Sequence, residues 1–214
     1  MIGRHTDVGM VNEDTSGKGL IKVLGKPLTG NKLCVPNQIQ LHRRGGLLRT
    51  LLRKLGVISE SPRSRNCILD YLALPNLKLV AIIRDGNDSI SSMVARGETR
   101  FKKAVRRWGE AVEIVFELQR RFNDRVLIVS FEELLRHPER TMGRLCEFLE
   151  IQFQEQMLDG YKYNRYYPGA GLDKEKAHRY KKDRGDFHLE WLMPATYEKY
   201  QRLVADLEQG RVEA

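Results

Sequence analysis

The stretch LKLVAIIRDGNDSISSM, residues 77–93, decides the fold. Apart from Lys78, residues 77–83 are apolar, and a strand that is apolar on both faces is typical of the middle of a parallel sheet. Arg84 and Asp85 end this run abruptly, and Asp88 is predicted to cap a helix that follows directly. A buried strand that leads straight into a helix indicates an α/β protein.

The flanking sequence repeats this alternation of strands and helices. Apolar residues recur at three- and four-residue spacing around Trp108, which predicts a long helix. A buried strand is expected at 126–129, and then two helical turns, a break at Pro138 and a helix to about Leu149. Further elements are expected at 33–35 (strand), 46–55 (helix), 67–74 (helix) and 194–207 (helix). The order predicts a three-layer α/β/α fold with a central parallel sheet and right-handed crossovers.

The chain shows no repeat and no low-complexity linker, so we expect one domain over residues 1–214. It divides into a core at 1–160, a lid loop at 161–190 that lacks periodicity, and a C-terminal helix at 191–214. Six basic residues of this loop are expected either to form a lid over a ligand or to lie in a solvated surface loop: Lys174, Lys176, Arg179, Lys181, Lys182 and Arg184.

The net charge of +9 leaves three interpretations open. They are nucleic-acid binding, an anionic small substrate and a solvated cationic surface. The basic residues are spread along the chain, which argues against a dedicated nucleic-acid tail. Three scattered cysteines predict neither a zinc site nor a disulfide framework. No apolar run is long enough to be a signal-peptide core or a membrane span, so we expect a cytoplasmic protein.

Arg84 and Ser92 are the first candidate binding residues. Arg84 lies at the carboxyl end of a buried strand, where open α/β sheets bind ligands. The helix that follows has N-terminal amides that favour an anion, and Ser92 lies eight residues after Arg84. A guanidinium fork and a hydroxyl suit a phosphate. The alternative is that Arg84 pairs with Asp85 or Asp88 and that the serines face solvent.

The segment IIRDGNDSISSM, residues 82–93, resembles the 3′-phosphate-binding segment of sulfotransferases that use 3′-phosphoadenosine 5′-phosphosulfate (PAPS). In that family an Arg ends a strand and a Ser follows eight residues later, and Arg84 and Ser92 match these positions. Gly86 stands where the family usually has Pro, a tolerable change in a turn. DRVLIVSFEELLRHPERTMGRLCEFLEI, residues 124–151, is similar to the family's next strand–helix–helix succession. The resemblance implies a P-loop NTPase-like sulfotransferase fold.

The resemblance also implies two catalytic residues. HTDVGMVNEDTSG, residues 5–17, is similar to the family segment in which a Glu serves as the base toward the acceptor, and Glu13 matches it. GNKLCVPNQI, residues 30–39, resembles the family's second strand, whose Lys neutralises charge on the bridging oxygen, and Lys32 matches that. The alternative is that Glu13 is an exposed loop residue and Lys32 a surface lysine.

The family's PxxSGT loop for the 5′-phosphosulfate has no match in this sequence, so we expect an N-terminally truncated fold and no detectable sulfuryl transfer by these 214 residues alone. TSGKG, residues 15–19, is read as a flexible loop, because it lacks the full phosphate-loop pattern. The function implied is transfer from PAPS to a hydroxyl or amine of a small-molecule, saccharide or peptide acceptor, without a metal and without nucleic acid as a partner. The alternatives are an inactive nucleotide-binding remnant and a basic nucleic-acid-binding domain. A homodimer stays open.

Overall fold

The structure is a computed structural model that describes residues 1–16, 18–41, 66–163 and 186–209. The chain forms two compact units, Gly9–Leu77 and a second unit made of Met1–Val8 and Lys78–Ala214. The prediction of a single domain therefore stays a prediction. Among the residues described, no helix is long and apolar enough to cross a membrane.

The unit of Gly9–Leu77 contains short strands and helices. Its elements are β1 (Val8–Asn12, whose first residue belongs to the other unit), α1 (Lys18–Ile21), β2 (Leu28–Lys32), β3 (Ile39–Gln40), β4 (Asn66–Cys67) and α2 (Ile68–Leu72). β1 pairs with β2, and β3 pairs in parallel with β4. The strand expected at 33–35 lies earlier, at Leu28–Lys32. The helix expected at 46–55 lies outside the described residues.

The larger unit carries the expected alternation of strands and helices. It contains β5 (Leu79–Ile83), α3 (Gly86–Ala95), α4 (Phe101–Phe122), β6 (Val126–Ser130), α5 (Phe131–Arg136), α6 (Pro138–Leu149), α7 (Leu189–Leu192) and α8 (Pro194–Gln209). A 3₁₀ helix covers Glu155–Tyr163. The six basic residues predicted for the lid lie outside the part of the chain that the structure describes.

β5 and β6 run parallel in register, with Leu79 opposite Val126 and Ile83 opposite Ser130. Both strands therefore end at the same edge, and the residues that follow them, Arg84 and Phe131, meet there. Behind this edge the core is closed by fully buried side chains from several helices: Ile90, Met142, Met157, Leu189 and Leu203. Helix α4 packs against both α3 and α8. The result is an α/β fold with parallel strands, as the sequence predicts, although the strands of the described ranges pair in three two-stranded sheets.

The start of helix α3 differs from the sequence-based expectation. The cap is Asp85 rather than Asp88: the Asp85 side chain accepts a hydrogen bond from the Asp88 amide at 3.0 Å. The helix therefore begins at Gly86, directly after the strand end, and Asp88 lies buried in its first turn. Both residue types cap helices well, so composition alone does not distinguish them.

Candidate functional site

Arg84 occupies a turn that neighbouring elements hold from two sides. Its backbone carbonyl accepts a hydrogen bond from the Trp108 indole nitrogen on α4, at 3.3 Å. Its guanidinium carbon lies 4.9 Å from the centre of the Phe131 ring, close enough for a cation–π contact. These contacts fix both ends of Arg84 at the edge where β5 and β6 terminate.

Glu132 fixes the next residue of the turn. One oxygen of its carboxylate accepts a hydrogen bond from the Asp85 amide at 3.0 Å, and the other accepts from the Ser130 hydroxyl at 2.9 Å. The Asp85 carboxylate in turn accepts from the Asp88 amide. Two amides of the strand-to-helix turn therefore already donate to carboxylates. An anion at this turn would therefore be bound more by side chains, and less by the helix N-terminal amides, than the sequence predicts.

Gly86 is required by close packing at the start of helix α3. A Cβ atom at this position would lie 2.4 Å from Cδ1 of Leu189 and 2.8 Å from Cζ2 of Trp108. The substitution of the family's usual Pro by Gly is therefore more than a tolerable change in a turn. It lets helix α7 and the Trp108 ring approach the backbone next to Arg84.

Ser92 lies in the second half of helix α3 and is half-buried. It is six residues after Gly86, which places it about 9 Å along the helix axis at 1.5 Å per residue. Arg96 follows one turn later; its Nε donates to the Ser92 carbonyl at 3.2 Å and also pairs with Glu98 at 3.0 Å. A second guanidinium is thus held beside Ser92, a feature that the sequence analysis did not single out.

Glu13 and Lys32, which the resemblance implies as base and charge stabiliser, form an ion pair. Lys32 Nζ lies 2.8 Å from Glu13 Oε1, and both side chains are partly exposed. The hydrogen bond from Lys32, followed by one from Gln38, lowers the pKa of Glu13. Burial lowers the pKa of Lys32, but its hydrogen bonds with Glu13 and Cys34 outweigh this effect, so the net pKa is raised. Glu13 is therefore ionised and Lys32 protonated at neutral pH, as their predicted roles need.

Asp14 organises the segment that contains TSGKG. Its carboxylate accepts hydrogen bonds from the amides of Ser16, Gly19 and Leu20, at 3.0, 2.7 and 3.1 Å. Hydrogen bonds from Ser16 are the largest influence that lowers the pKa of Asp14, to about 2. TSGKG is predicted from the sequence to be a flexible loop, whereas in the structure a short helix, Lys18–Ile21, begins within it. Because the Asp14 carboxylate already engages these amides, they do not form an open phosphate cradle.

The structure thus brings the four predicted residues together in two pairs. Glu13 and Lys32 belong to the unit of Gly9–Leu77, and Arg84 and Ser92 lie on one strand-to-helix segment of the other unit. Their roles stay predictions. Within the described ranges, no group of three or more His, Cys, Asp or Glu side chains is arranged to hold a metal ion.

Sequence reasoning missed two supporting residues. Gln38 contacts Glu13, and Glu132 contacts the Asp85 amide across a separation of 47 residues. Glu132 lies two residues after the end of β6. Because β5 and β6 are parallel and end at the same edge, this position would have indicated that Glu132 lies near Arg84. Gln38 carried no comparable signal, because its position depends on an irregular turn.

Comparison with known proteins supports the resemblance drawn from the sequence. Residues 66–155 match the model of the Sulfotransferase family. The chain is 27% identical over 131 residues to "Protein-tyrosine sulfotransferase" of Drosophila melanogaster, covering 53% of this chain and 26% of that protein. It is 31% identical over 99 residues to "Protein-tyrosine sulfotransferase 1" of Danio rerio, covering 42% of this chain and 28% of that protein. The chain thus spans about a quarter of the length of these curated relatives.

Two solved structures share the fold. One is the sulfotransferase domain from the curacin biosynthetic pathway, with a TM-score of 0.55 and 16% identity over 92% of this chain and 67% of that chain. The other is the sulfotransferase domain from the Synechococcus PCC 7002 olefin synthase, with a TM-score of 0.56 and 16% identity over 90% of this chain and 63% of that chain. The resemblance to the sulfotransferase family and the predicted sulfotransferase fold are confirmed.

Proposed function

We propose that this chain, which carries the sulfotransferase fold, is part of an enzyme that transfers a sulfuryl group from PAPS to a hydroxyl or amine of an acceptor. The observation that carries the proposal is the Arg84 turn. An arginine at the carboxyl end of a parallel strand is followed at once by a helix that bears Ser92. This segment lies inside the residues that match the Sulfotransferase family.

Arg84 and Ser92 would bind the 3′-phosphate of the nucleotide. The arginine provides a planar set of donors and a permanent positive charge, and the serine provides a hydroxyl donor. The residues present fit such a group, because the Arg84 backbone and guanidinium are both held at the strand edge by Trp108 and Phe131. A donor that is held in advance loses less conformational freedom when the phosphate binds.

Glu13 and Lys32 would serve the transfer step. PAPS supplies an activated sulfuryl group, whose sulfur forms a bond to the acceptor atom as its bond to the phosphate oxygen breaks. The ionised Glu13 carboxylate accepts the proton that leaves the acceptor. The Lys32 ammonium stabilises the negative charge that grows on the phosphate oxygen. Neither role calls for a metal.

The acceptor proposed first is a tyrosine hydroxyl of a protein, because the curated relatives are named as protein-tyrosine sulfotransferases. Saccharide and small-molecule hydroxyls, and amines, form the comparison set. A transfer assay with radiolabelled PAPS, on a protein that also carries a PxxSGT loop and is shown to be active, would compare a tyrosine peptide with the same peptide carrying phenylalanine. Label on the phenylalanine peptide, or preferred labelling of a sugar or an amine, would overturn the tyrosine assignment. We keep the cytoplasmic location as part of the proposal, and cell fractionation tests it.

Binding of adenosine 3′,5′-bisphosphate tests the proposed role of Arg84. Calorimetry would compare this nucleotide with adenosine 5′-monophosphate, which lacks the 3′-phosphate. Arg84→Ala removes a charge-assisted phosphate contact worth about 2–4 kcal/mol, so the affinity for the bisphosphate should fall at least about tenfold. The affinity for the monophosphate should not change.

Two control variants separate this effect from general losses. Arg202→Ala removes an exposed arginine that pairs with Glu198 on α8, and it should leave both affinities unchanged. Ser91→Ala removes a buried hydroxyl that makes no hydrogen bond within the described residues, and as a control it should leave both affinities unchanged. Ser92→Ala should lower the affinity for the bisphosphate alone. Equal binding of the two nucleotides by the unsubstituted protein would contradict the 3′-phosphate site. Binding without transfer in a protein that also carries a PxxSGT loop would favour a nucleotide-binding protein instead of an enzyme.

A further inference from the structure

Glu13 is held in an unusual backbone conformation. Its φ angle is +57°, in the left-handed region that residues with a Cβ atom seldom adopt. Its backbone amide donates to the Lys32 carbonyl at 2.7 Å, while its side chain pairs with the Lys32 ammonium. Such a conformation persists only where surrounding contacts hold it, and it is often associated with a functional site.

Gln38 provides the second contact to this carboxylate. Its Nε2 donates to Glu13 Oε2 at 2.7 Å, and its Oε1 accepts a hydrogen bond from the Cys34 amide at 2.7 Å. The orientation of the carboxamide is decided by chemistry, because a backbone amide only donates and must face the Gln38 oxygen. The nitrogen is then left to face Glu13. The backbone amide of Gln38 also donates to the Cys34 carbonyl at 2.8 Å, which fixes the position of the Gln38 backbone.

The two oxygens of Glu13 therefore have different surroundings. Oε1 faces Lys32, at 2.8 Å, and the Cys34 thiol, at 3.5 Å. Oε2 faces Gln38, whose side chain is neutral and is therefore not attracted to negative charge on the transferred group. In the proposed reaction the Lys32 ammonium would turn toward the charge on the phosphate oxygen, and Oε1 would become accessible to the acceptor. Gln38 would be the contact that keeps the carboxylate in place.

We propose that Gln38 is a positioning residue that orients the Glu13 carboxylate while Lys32 engages the transferred group. This inference rests on the proposed function for the role of Glu13 as the base. It goes beyond that function by separating the carboxylate into one oxygen that reacts and one that is held. The competing explanation is that Gln38 only closes the turn with Cys34.

Direct titration of Glu13 distinguishes these explanations without any assay of transfer. Glutamate labelled with ¹³C at the carboxyl group, assigned with Glu13→Gln, would be followed by NMR as the pH falls. Gln38→Leu should raise the pKa of Glu13, because one of the hydrogen bonds that lower it is lost while Lys32 and Cys34 stay. Gln38→Glu, which places a like charge beside Oε2, should raise it further. Gln40→Leu is the matched control, since Gln40 donates to the Pro36 carbonyl instead, and it should leave the titration unchanged.

The unsubstituted protein gives a test that needs no variant. If Gln38 holds Oε2 in solution, the side-chain amide protons of Gln38 should shift with the same midpoint as the Glu13 carboxyl carbon. Independent shifts, or an unchanged Glu13 titration in both Gln38→Leu and Gln38→Glu, would overturn the inference. Failure of the base role appears elsewhere, as full transfer activity in Glu13→Gln. The two failures are therefore distinguishable.

Discussion

Replacing Gly86 by alanine should destabilise the larger unit, because there is no room for the added methyl group. The new Cβ would lie 2.4 Å from Leu189 Cδ1 and 2.8 Å from Trp108 Cζ2, whereas carbon atoms in good contact are about 3.5–4.0 Å apart. Leu189 is only 1% exposed and Trp108 only 5%, so neither side chain can move into solvent. Overpacking of this kind costs roughly 1–3 kcal/mol. The loss of a helical glycine offsets at most about 1 kcal/mol, which leaves a net loss of about 0–2 kcal/mol at the full offset and of up to about 3 kcal/mol without it.

Gly143→Ala makes the same chemical change where space is open. Gly143 lies inside helix Pro138–Leu149, and a Cβ there would meet nothing within 4 Å. This variant should be more stable than the unsubstituted protein, by about 0.5–1 kcal/mol. Urea unfolding, followed by far-UV circular dichroism and by tryptophan fluorescence, would give the free energies of unfolding. The two substitutions are expected to change that free energy in opposite directions.

The Leu189→Ala background tests the cause of the Gly86 effect. Leu189→Ala alone should cost about 2–5 kcal/mol, because it empties a buried site. In that background the added methyl of Gly86→Ala finds part of its space vacated, so its penalty should shrink measurably. An equal penalty in both backgrounds, or a Gly86→Ala protein as stable as Gly143→Ala, would refute the packing argument.

Three further predictions follow from the site. Glu13→Gln in a protein shown to be active should lower turnover about 10²-fold or more while the affinity for adenosine 3′,5′-bisphosphate stays near wild type, and unchanged turnover would remove Glu13 from the mechanism. The pKa of Asp14 is lowered to about 2 in the folded protein. The stabilising effect of this carboxylate is therefore fully present above the unfolded pKa of about 3.9 and is lost as the pH falls toward 2. In acid titrations monitored by circular dichroism, Asp14→Asn should lose less stability over that pH interval than the unsubstituted protein. Glu132→Ala removes the acceptor of the Asp85 amide and the Ser130 hydroxyl and should cost about 1–3 kcal/mol in urea unfolding, and a smaller loss would show that water replaces the carboxylate.

The regular elements could be predicted from the sequence because each depends on local pattern. Helix Phe101–Phe122 follows from apolar residues at three- and four-residue spacing, and strand Val126–Ser130 from a short apolar run. The position of Arg84 directly after strand Leu79–Ile83 could be predicted for a similar reason, since it ends such a run, while its role stays a prediction. The bounds shifted where several residues serve equally well, as with the cap of helix Gly86–Ala95.

The supporting contacts could not be predicted, because they join residues that are distant in sequence or lie on irregular backbone. The hydrogen bond from Asp85 to Glu132 needs the register of two parallel strands, and that from Gln38 to Glu13 needs the course of a turn. Gly86 shows the same limit. Its sequence neighbours suggest a turn residue, whereas glycine is needed at this position because Leu189, more than 100 residues away in sequence, packs against the backbone.

The Arg84 turn is rigid for three separate reasons, and this has a consequence for binding. Trp108 holds the Arg84 carbonyl, Glu132 holds the Asp85 amide, and Leu189 packs on Gly86. A substitution at any of these supports leaves the guanidinium in place but frees its backbone, so the phosphate must then order it at an entropic cost. Glu132→Ala should therefore weaken the binding of adenosine 3′,5′-bisphosphate more than the binding of adenosine 5′-monophosphate, although Glu132 has no proposed contact with either nucleotide. If both nucleotides weaken equally, Glu132 supports the fold in general and not the 3′-phosphate site.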